Sequence, residues 1–261
     1  MILHIIVLAA ALLGCAIGFK RFLWFLSIGY GLSVAVIGIS GLVYGGVTGD
    51  LTIGTALGFI VLTAYGLRLG IFLLKRELNS KSYKKILATK VSGKEPPVFV
   101  KFALWLCVGV LYMAQTAGVH FRMLNGTADD VMLYVGIAIT VAGAVIEAVS
   151  DRQKSAQKSK RPDMVATEGL FRICRCPNYF GEILVWTGVF LAGIMTYANI
   201  GQWITAVLGY ICIVYVMVDG AKRLEKGQSE RYGNKPEYQA YANKTPILIP
   251  LVPLYHLNKT K

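Results

Sequence analysis

Charge is scarce in this chain: only 16% of its 261 residues are Asp, Glu, Lys or Arg, 55% are hydrophobic, and mean hydropathy is +0.56. A water-soluble domain of this length needs more charge to cover its surface, so that class is excluded. Histidine is scarcer still, with three residues, none of them near Cys174 or Cys176, and the five cysteines form no Cys-x-x-Cys pair. A zinc site and a disulfide framework are thereby set aside, and no metal is expected. No Gly-x-Gly-x-x-Gly follows a strand-like run and no Gly-x-x-x-x-Gly-Lys-[Ser/Thr] occurs, so neither a Rossmann unit nor a P-loop is supported. The apolar stretch Met1 to Phe19 has no basic residue ahead of it, and Lys20-Arg21 follows instead. It reads as a first membrane span rather than a cleaved signal peptide.

What the chain does have is apolar runs of about 18 to 25 residues, long enough to cross a hydrocarbon layer of roughly 30 Å. In lipid such runs satisfy their backbone groups only as helices. Spans are expected at 2–19, 22–46, 52–74, 99–119, 130–149, 180–198 and 200–218. Basic connections (Lys20-Arg21, segments 75–98 and 150–179, and the tail from Asp219) alternate with connections that carry little positive charge. The expectation is an all-α polytopic membrane protein of about seven transmembrane helices with its N-terminus outside and its C-terminus cytoplasmic. The net charge of +13 lies in the connections, which suits anionic lipid headgroups or an anionic cofactor rather than nucleic acid. The tail 219–261, with Tyr232, Tyr238, Tyr241 and Tyr255 and four prolines, is expected to fold back as a cap on the cytoplasmic face.

Polar residues inside spans are costly and each needs a reason. Arg68 lies in the third expected span, Gln115 deep in the fourth, Glu147 in the fifth and Glu182 in the first turn of the sixth, with Asp151 and Asn178 just outside. Snorkelling and structural pairing, such as Arg68 with Glu147 or Glu182, is one reading. The other is the wall of a polar pocket, lined by Lys154, Lys158, Lys160, Arg161, Arg172 and Arg175. That basic run suits either a solvated loop near anionic lipid or a phosphate binder. Pro177 and Asn178 are placed to stop the loop, with Asn178 able to cap the next helix.

The stretch Gly169-Leu170-Phe171-Arg172-Ile173-Cys174-Arg175-Cys176-Pro177-Asn178-Tyr179-Phe180-Gly181-Glu182 resembles the C-terminal signature of the membrane-bound steroid 5α-reductases and their bacterial relatives. Glu147-Ala148-Val149-Ser150-Asp151-Arg152-Gln153-Lys154 resembles a Glu-x-x-x-Asp-x-Gln-Lys pattern of the same group. The close from Tyr238-Gln239-Ala240-Tyr241 to Thr245-Pro246-Ile247-Leu248-Ile249-Pro250 is also similar, and Tyr65 with Leu67-Arg68-Leu69-Gly70 is a looser match. The resemblance implies a single membrane-embedded domain, with residues 1–130 forming the lipophilic substrate side and 131–261 the cofactor-binding part. It implies a bacterial inner membrane or its equivalent, a cytoplasm-facing NADPH cavity, and a steroid or other lipophilic enone entering from the bilayer. No obligatory protein partner is expected.

Carried over residue by residue, Arg68, Glu147, Asp151, Lys158, Arg172, Arg175, Asn178, Glu182, Tyr232 and Tyr241 would contact the cofactor or order its pocket. Tyr65 would polarise the substrate carbonyl. The chain departs from the family at two places: Cys176 stands where bacterial relatives carry His, and no Gln-Glu pair occurs on the second span, which runs Ser27-Ile28-Gly29-Tyr30-Gly31. Gln115 or Tyr30 is expected to take part of that substrate-gripping role. Membrane methyltransferases of the isoprenylcysteine type, which use S-adenosylmethionine, look similar over the same core. A non-enzymatic lipid-binding membrane protein is the third reading.

Overall fold

The structure is a computed structural model that describes residues 2–79 and 95–258. Among them the chain is all-helical, without a strand. The α-helices are α1 (Ile2–Cys15), α2 (Ile28–Thr48), α3 (Ile53–Asn79), α4 (Val98–Gln115), α5 (Ala117–Leu124), α6 (Val131–Lys160), α7 (Pro177–Ala192), α8 (Ile200–Tyr232) and α9 (Pro236–Lys244). Short 3-10 turns occupy Ala16–Phe19, Phe22–Leu26 and Gly169–Arg172. Among the described residues six helices are long and apolar enough to cross a membrane: α1 with the turn that follows it, α2, α3, α4, α6 and α8. The chain is an integral membrane protein.

Several boundaries differ from expectation, each for a local reason. The sixth expected span, 180–198, is a helix of 16 residues that starts at Pro177 and ends at Ala192. Helix α6 runs eleven residues beyond the expected 149, to Lys160, because the Gln-, Lys- and Arg-containing continuation tolerates helix and Pro162 is its first breaker. Likewise α8 continues past Val218 to Tyr232, where Gly233 follows. Conversely α4 stops at Gln115, and a separate short helix, α5, begins at Ala117 after Thr116. Gln115 is therefore at a helix end rather than deep in a span. Of the basic segment 75–98, Lys81, Lys84, Lys85, Lys90 and Lys94 lie outside the described residues.

The residues sort into two compact units, one of Met1–Ile137 with Val189–Gly209, the other of Ala138–Gly188 with Tyr210–Lys261. In the first unit helices meet backbone to backbone. A Cβ at Gly66 of α3 would fall 2.4 Å from the Ala35 nitrogen and 2.5 Å from the Gly31 oxygen of α2. One at Gly31 would fall 2.6 Å from the Gly70 nitrogen, so the spacing Gly66-x-x-x-Gly70 is a seam of close approach. Helix α1 joins α2 in the same way: a Cβ at Gly14 would lie 2.4 Å from Ser33 Cα, and Ser33 Oγ donates to the Ala11 carbonyl at 2.7 Å.

Polar staples complete the unit. Glu77, buried near the end of α3, accepts from Arg21 Nη1 (2.8 Å) and Trp24 Nε1 (2.6 Å), which fixes the Phe22–Leu26 turn. Arg122, in the short helix α5, is fully buried. It donates to the Ala192 carbonyl at 2.9 Å, to the Ala128 carbonyl and to the Asp130 carboxylate. Asp129 accepts from Thr52 Oγ1 (2.6 Å), the Gly54 nitrogen (2.8 Å) and Tyr134 Oη (3.0 Å), so its carboxylate closes the N-terminal turn of α3.

In the second unit α6 meets α7 through Gly143 and Gly181: a Cβ at Gly143 would lie 2.5 Å from the Gly181 oxygen, and one at Gly181 2.7 Å from the Glu147 nitrogen. The tail is folded. Ile247 and Leu248 pack with Cys176 and Ala221 in one apolar cluster, and Met164 packs with Tyr238 and Ala242 in another.

Gly66→Ala is expected to destabilise the detergent-solubilised protein by about 1–3 kcal/mol, since the atoms it strikes are backbone. Gly46→Ala, with nothing within 4 Å, is expected to be neutral or slightly stabilising, and thermal unfolding of the two variants checks this. Asp129 gives a pH dependence. Burial raises its carboxyl pKa, but hydrogen bonds from Thr52, Gly54 and Tyr134 and the Arg122 charge outweigh that and hold it below the usual 3.8. A depressed folded value means its stabilisation is present above pH 3.8 and is lost as pH falls from there through the folded value. Asp129→Asn should flatten the acid limb of stability against pH below about 4.

Candidate functional site

The helix pair α6/α7 of the second unit gathers buried acids. Glu147 and Asp151 are one turn apart on α6, and Glu182 lies on α7 directly after the contact glycine Gly181; all three are buried. Residues one turn apart share a helix face, so Glu147 and Asp151 point the same way. Thr140 Oγ1 donates to the Val185 carbonyl at 3.2 Å and locks the register of the pair.

The next two turns of α6 hold the signature loop. Gln153 Oε1 accepts from the Leu170 nitrogen at 2.9 Å. Gln157 Oε1 accepts from the Thr167 and Glu168 nitrogens at 2.9 and 3.0 Å. Gly169 has φ +65°, a left-handed conformation that favours glycine, and a Cβ there would lie 2.5 Å from the Gln153 carboxamide and displace it. The Gln and the Gly of the two motifs are thus partners in one turn. Sequence reading quoted both without giving either a role, and no spacing rule links them.

The basic residues divide. Lys158 Nζ donates to the Pro162 carbonyl (2.6 Å), the Met164 carbonyl (2.7 Å) and Tyr232 Oη (3.1 Å), which uses all three of its N–H groups. Lys158 and Tyr232 do come together, as organisers of the loop after α6. Arg161 is exposed and pairs with Glu237 through two bonds of 3.0 and 2.9 Å, and Lys160 and Arg172 are exposed. Tyr241 Oη donates to the Phe171 carbonyl at 2.7 Å and supports the turn that carries Arg172.

Arg175 differs from these. It is buried, with Nη2 on Glu225 (2.9 Å) and on the Tyr255 carbonyl, while Nε and Nη1 have no hydrogen-bond partner among the described residues. Three residues on, Asn178 is the second residue of α7, and its buried Oδ1 likewise has none. Asn178 therefore does not cap the helix; Pro177 supplies the first helical position, where its missing N–H is no loss. Two orphan donors and an orphan acceptor within four residues are what a polar ligand would satisfy. Glu225, which no motif marked, is the anchor beneath: besides Arg175 it accepts from the Leu257 and Asn258 nitrogens, both at 2.9 Å, and pairs with His256 at 2.9 Å.

The remaining expected residues lie in the first unit. Tyr65 and Arg68 are one turn apart on α3; Tyr65 is buried and the Arg68 guanidinium lies 5.5 Å from the Phe72 ring centre. Gln115 is buried, with Oε1 unpartnered among the described residues. Tyr30 is buried and its ring lies 5.2 Å from that of Tyr112. No group of three or more His, Cys, Asp or Glu able to hold a metal occurs among the described residues.

The family described as "Protein of unknown function (DUF1295)" matches residues 19–245. No curated protein and no solved structure matches the chain.

All five cysteines are free, and Cys174 and Cys176 are buried. Burial pushes the Cys174 thiol up to about 11 and the Cys176 thiol up to about 12. Both should resist a charged thiol reagent at pH 7.5 in native micelles and react only after denaturation, as mass spectrometry of the labelled peptides would record.

Proposed function

Because this chain belongs to the DUF1295 family, which is associated with steroid 5α-reductase-like membrane proteins, we propose that it is a membrane-bound NADPH-dependent reductase. Its substrate class is a lipophilic α,β-unsaturated ketone, of which a 3-oxo-Δ4-steroid is the type, reached from the bilayer. The observation that carries the reading is the pairing of an almost intact signature, Gly169 to Glu182, with unsatisfied polar atoms inside it on Arg175 and Asn178. The alternation of basic and non-basic connections supports a seven-span arrangement with the second unit's loops in the cytoplasm, in a bacterial inner membrane or its equivalent.

The donor set fits a dinucleotide. Arg175 offers Nε and Nη1 as two separate donors, on opposite edges of the guanidinium, for ligand oxygens, and exposed Arg172 adds positive charge from the same loop. Asn178 Oδ1 accepts from an amide or a hydroxyl. Glu147, Asp151 and Glu182 are carboxylates of the kind that bind ribose hydroxyls. Lys158, Tyr232 and Tyr241 act through the loop they hold, and Arg68 takes the cofactor-ordering role that the resemblance implies. Bound NADPH supplies a hydride to the β-carbon of the enone. Tyr65 presents its hydroxyl to the carbonyl oxygen, where negative charge develops, and Gln115 assists in gripping that end of the substrate. The α-carbon then takes a proton from water or a side chain.

Thermal unfolding in detergent with NADPH, NADH or S-adenosylmethionine tests the reading. A ligand at a hundred times its Kd stabilises by about 2.7 kcal/mol, a rise of roughly 5–10 °C for a chain of this size. The expected result is a rise with NADPH that is lost in Asn178→Ala and Glu182→Ala and kept in Tyr65→Phe, whose loss is confined to turnover. A rise with S-adenosylmethionine alone would make the protein a methyltransferase, and no rise with any of the three would favour the lipid-binding reading.

A further inference from the structure

The segment Ile247–Leu254 contains no charged and no polar side chain, and it forms a closed loop on the second unit. The Ile247 nitrogen donates to the Leu254 carbonyl at 2.8 Å, and Pro250 and Pro253 stiffen the chain between them. Both ends are pinned: the Arg175 nitrogen donates to the Pro246 carbonyl at 2.8 Å, and Glu225 holds the nitrogens of Leu257 and Asn258 at 2.9 Å. Ile247 and Leu248 turn inward. Ile249, Leu251, Val252 and Leu254 turn outward, and Leu251 at the tip is 93% exposed. Leu251 also holds φ at +65°, a left-handed conformation that a leucine adopts only at a cost.

Four aliphatic side chains fixed outward on an uncharged loop would be an anomaly in water. Their level along α8 removes it. On that helix Leu208, Ile211, Tyr215 and Val216 are exposed apolar residues, and Lys222 and Arg223 are the exposed cations that follow. The hydrocarbon boundary thus falls between Val216 and Lys222, six residues or about 9 Å of helix. The inward side chains Ile247 and Leu248 pack in the cluster that contains Val218, Ala221 and Leu224, and Asn258 Nδ2 donates to the Lys222 carbonyl at 2.9 Å. The loop is therefore tied to α8 at the level where that helix leaves the lipid.

We propose that the Ile249–Leu254 loop is an interfacial membrane anchor that inserts Leu251 and its aliphatic neighbours into the acyl-chain boundary of the bilayer. Its partner is an anionic lipid surface. Lys222, Arg223, Lys226 and Lys244, all exposed on the same unit, give the headgroups a basic counterpart, and Tyr255 at the base is an interfacial residue type. The anchor holds the segment whose Tyr255 carbonyl and Pro246 carbonyl bind Arg175, so lipid contact and the signature loop are mechanically joined. The inference rests on the membrane character of the chain alone and stands whether or not the protein is a reductase.

The test is a fluorescent label at Leu251→Cys, with Glu230→Cys as the comparison, in a chain whose exposed Cys107 and Cys212 are changed to Ala. Glu230 is exposed on α8 twelve residues past Val218, about 18 Å further from the apolar stretch. An environment-sensitive nitrobenzoxadiazole label is read in vesicles of phosphatidylethanolamine and phosphatidylglycerol. Quenchers are a nitroxide on the lipid acyl chain and aqueous iodide, and both labelled proteins must keep the parent melting temperature in detergent. The expected result is several-fold stronger quenching by the lipid nitroxide at 251 than at 230, with the reverse order for iodide. Equal access of iodide to both labels would overturn the proposal, as would a label at 251 shielded from both quenchers, which would mean that a second copy of the chain covers the loop.

Discussion

Helices in hydrocarbon gain nothing from placing leucine against leucine, because lipid tails already solvate both. What draws these helices together is backbone contact, and only glycine permits it at the distances found here. A Cβ at Gly66 would meet α2 at 2.4 Å, and one at Gly143 would meet α7 at 2.5 Å. The rest of the structure inherits its geometry from those seams. Consecutive helical residues are about 100° apart around the axis, so the neighbour of a contact glycine lies at the flank of the seam, enclosed without being crushed. Tyr65 precedes Gly66 and Glu182 follows Gly181. Both are buried, and both are residues on which the proposed chemistry depends.

A second consequence concerns polar groups. With no water to compensate, each buried donor or acceptor must find a partner or carry a cost of order 1–3 kcal/mol. In the first unit two networks meet this demand, although Arg122 Nε, Gln115 Oε1 and His120 Nε2 have no hydrogen-bond partner among the described residues. Arg122 binds two carbonyls and a carboxylate, and Asn125 and Gln202 exchange carboxamide hydrogen bonds of 2.9 and 3.0 Å. The signature loop of the second unit meets part of it: Gln153, Gln157 and Lys158 turn inward to hold the chain between α6 and α7, while atoms of Arg175 and Asn178 are left over. Counting basic residues along 154–175 gives one wall of charge. Following each donor to its acceptor gives a scaffold with a small remainder, and the remainder is the part available to a ligand.

The apolar runs were legible in the sequence, since lipid exposure is written in composition: α1, α2, α3, α4, α6 and α8 each fall on an expected span. The ends of helices were less so. Hydropathy reports where a helix meets lipid and is silent on where it stops, so α6 continues unseen to Lys160 and α8 to Tyr232. The seam glycines were visible as residues, but only pairing across helices separates Gly31 and Gly66 from Gly46, which touches nothing. Within the candidate site the motif marked the right stretch and left the partners out. Arg161 reads as part of a basic wall until Glu237, 76 residues away, is placed beside it. Asn178 reads as a helix cap until the helix is seen to start one residue earlier, at Pro177. Cys176, the substituted position of the signature, lies in an apolar cluster with Ala221, Ile247 and Leu248, an environment that a small thiol fills without a polar partner.

The tail decides what Arg175 can do. A guanidinium is planar and carries five donors in fixed directions, so anchoring one nitrogen with two acceptors fixes the plane and aims the others. Here Nη2 is anchored by Glu225 of α8 and by the carbonyl of Tyr255. Glu225 in turn is held by four groups of the segment 256–258: the His256 ring, the Leu257 and Asn258 nitrogens and the Asn258 carboxamide. The direction of Nε and Nη1 is therefore set by residues 50 and 80 positions away in the chain. A signature read as one contiguous stretch is in this respect a tertiary construction, and the C-terminal segment belongs to the site as much as the motif does.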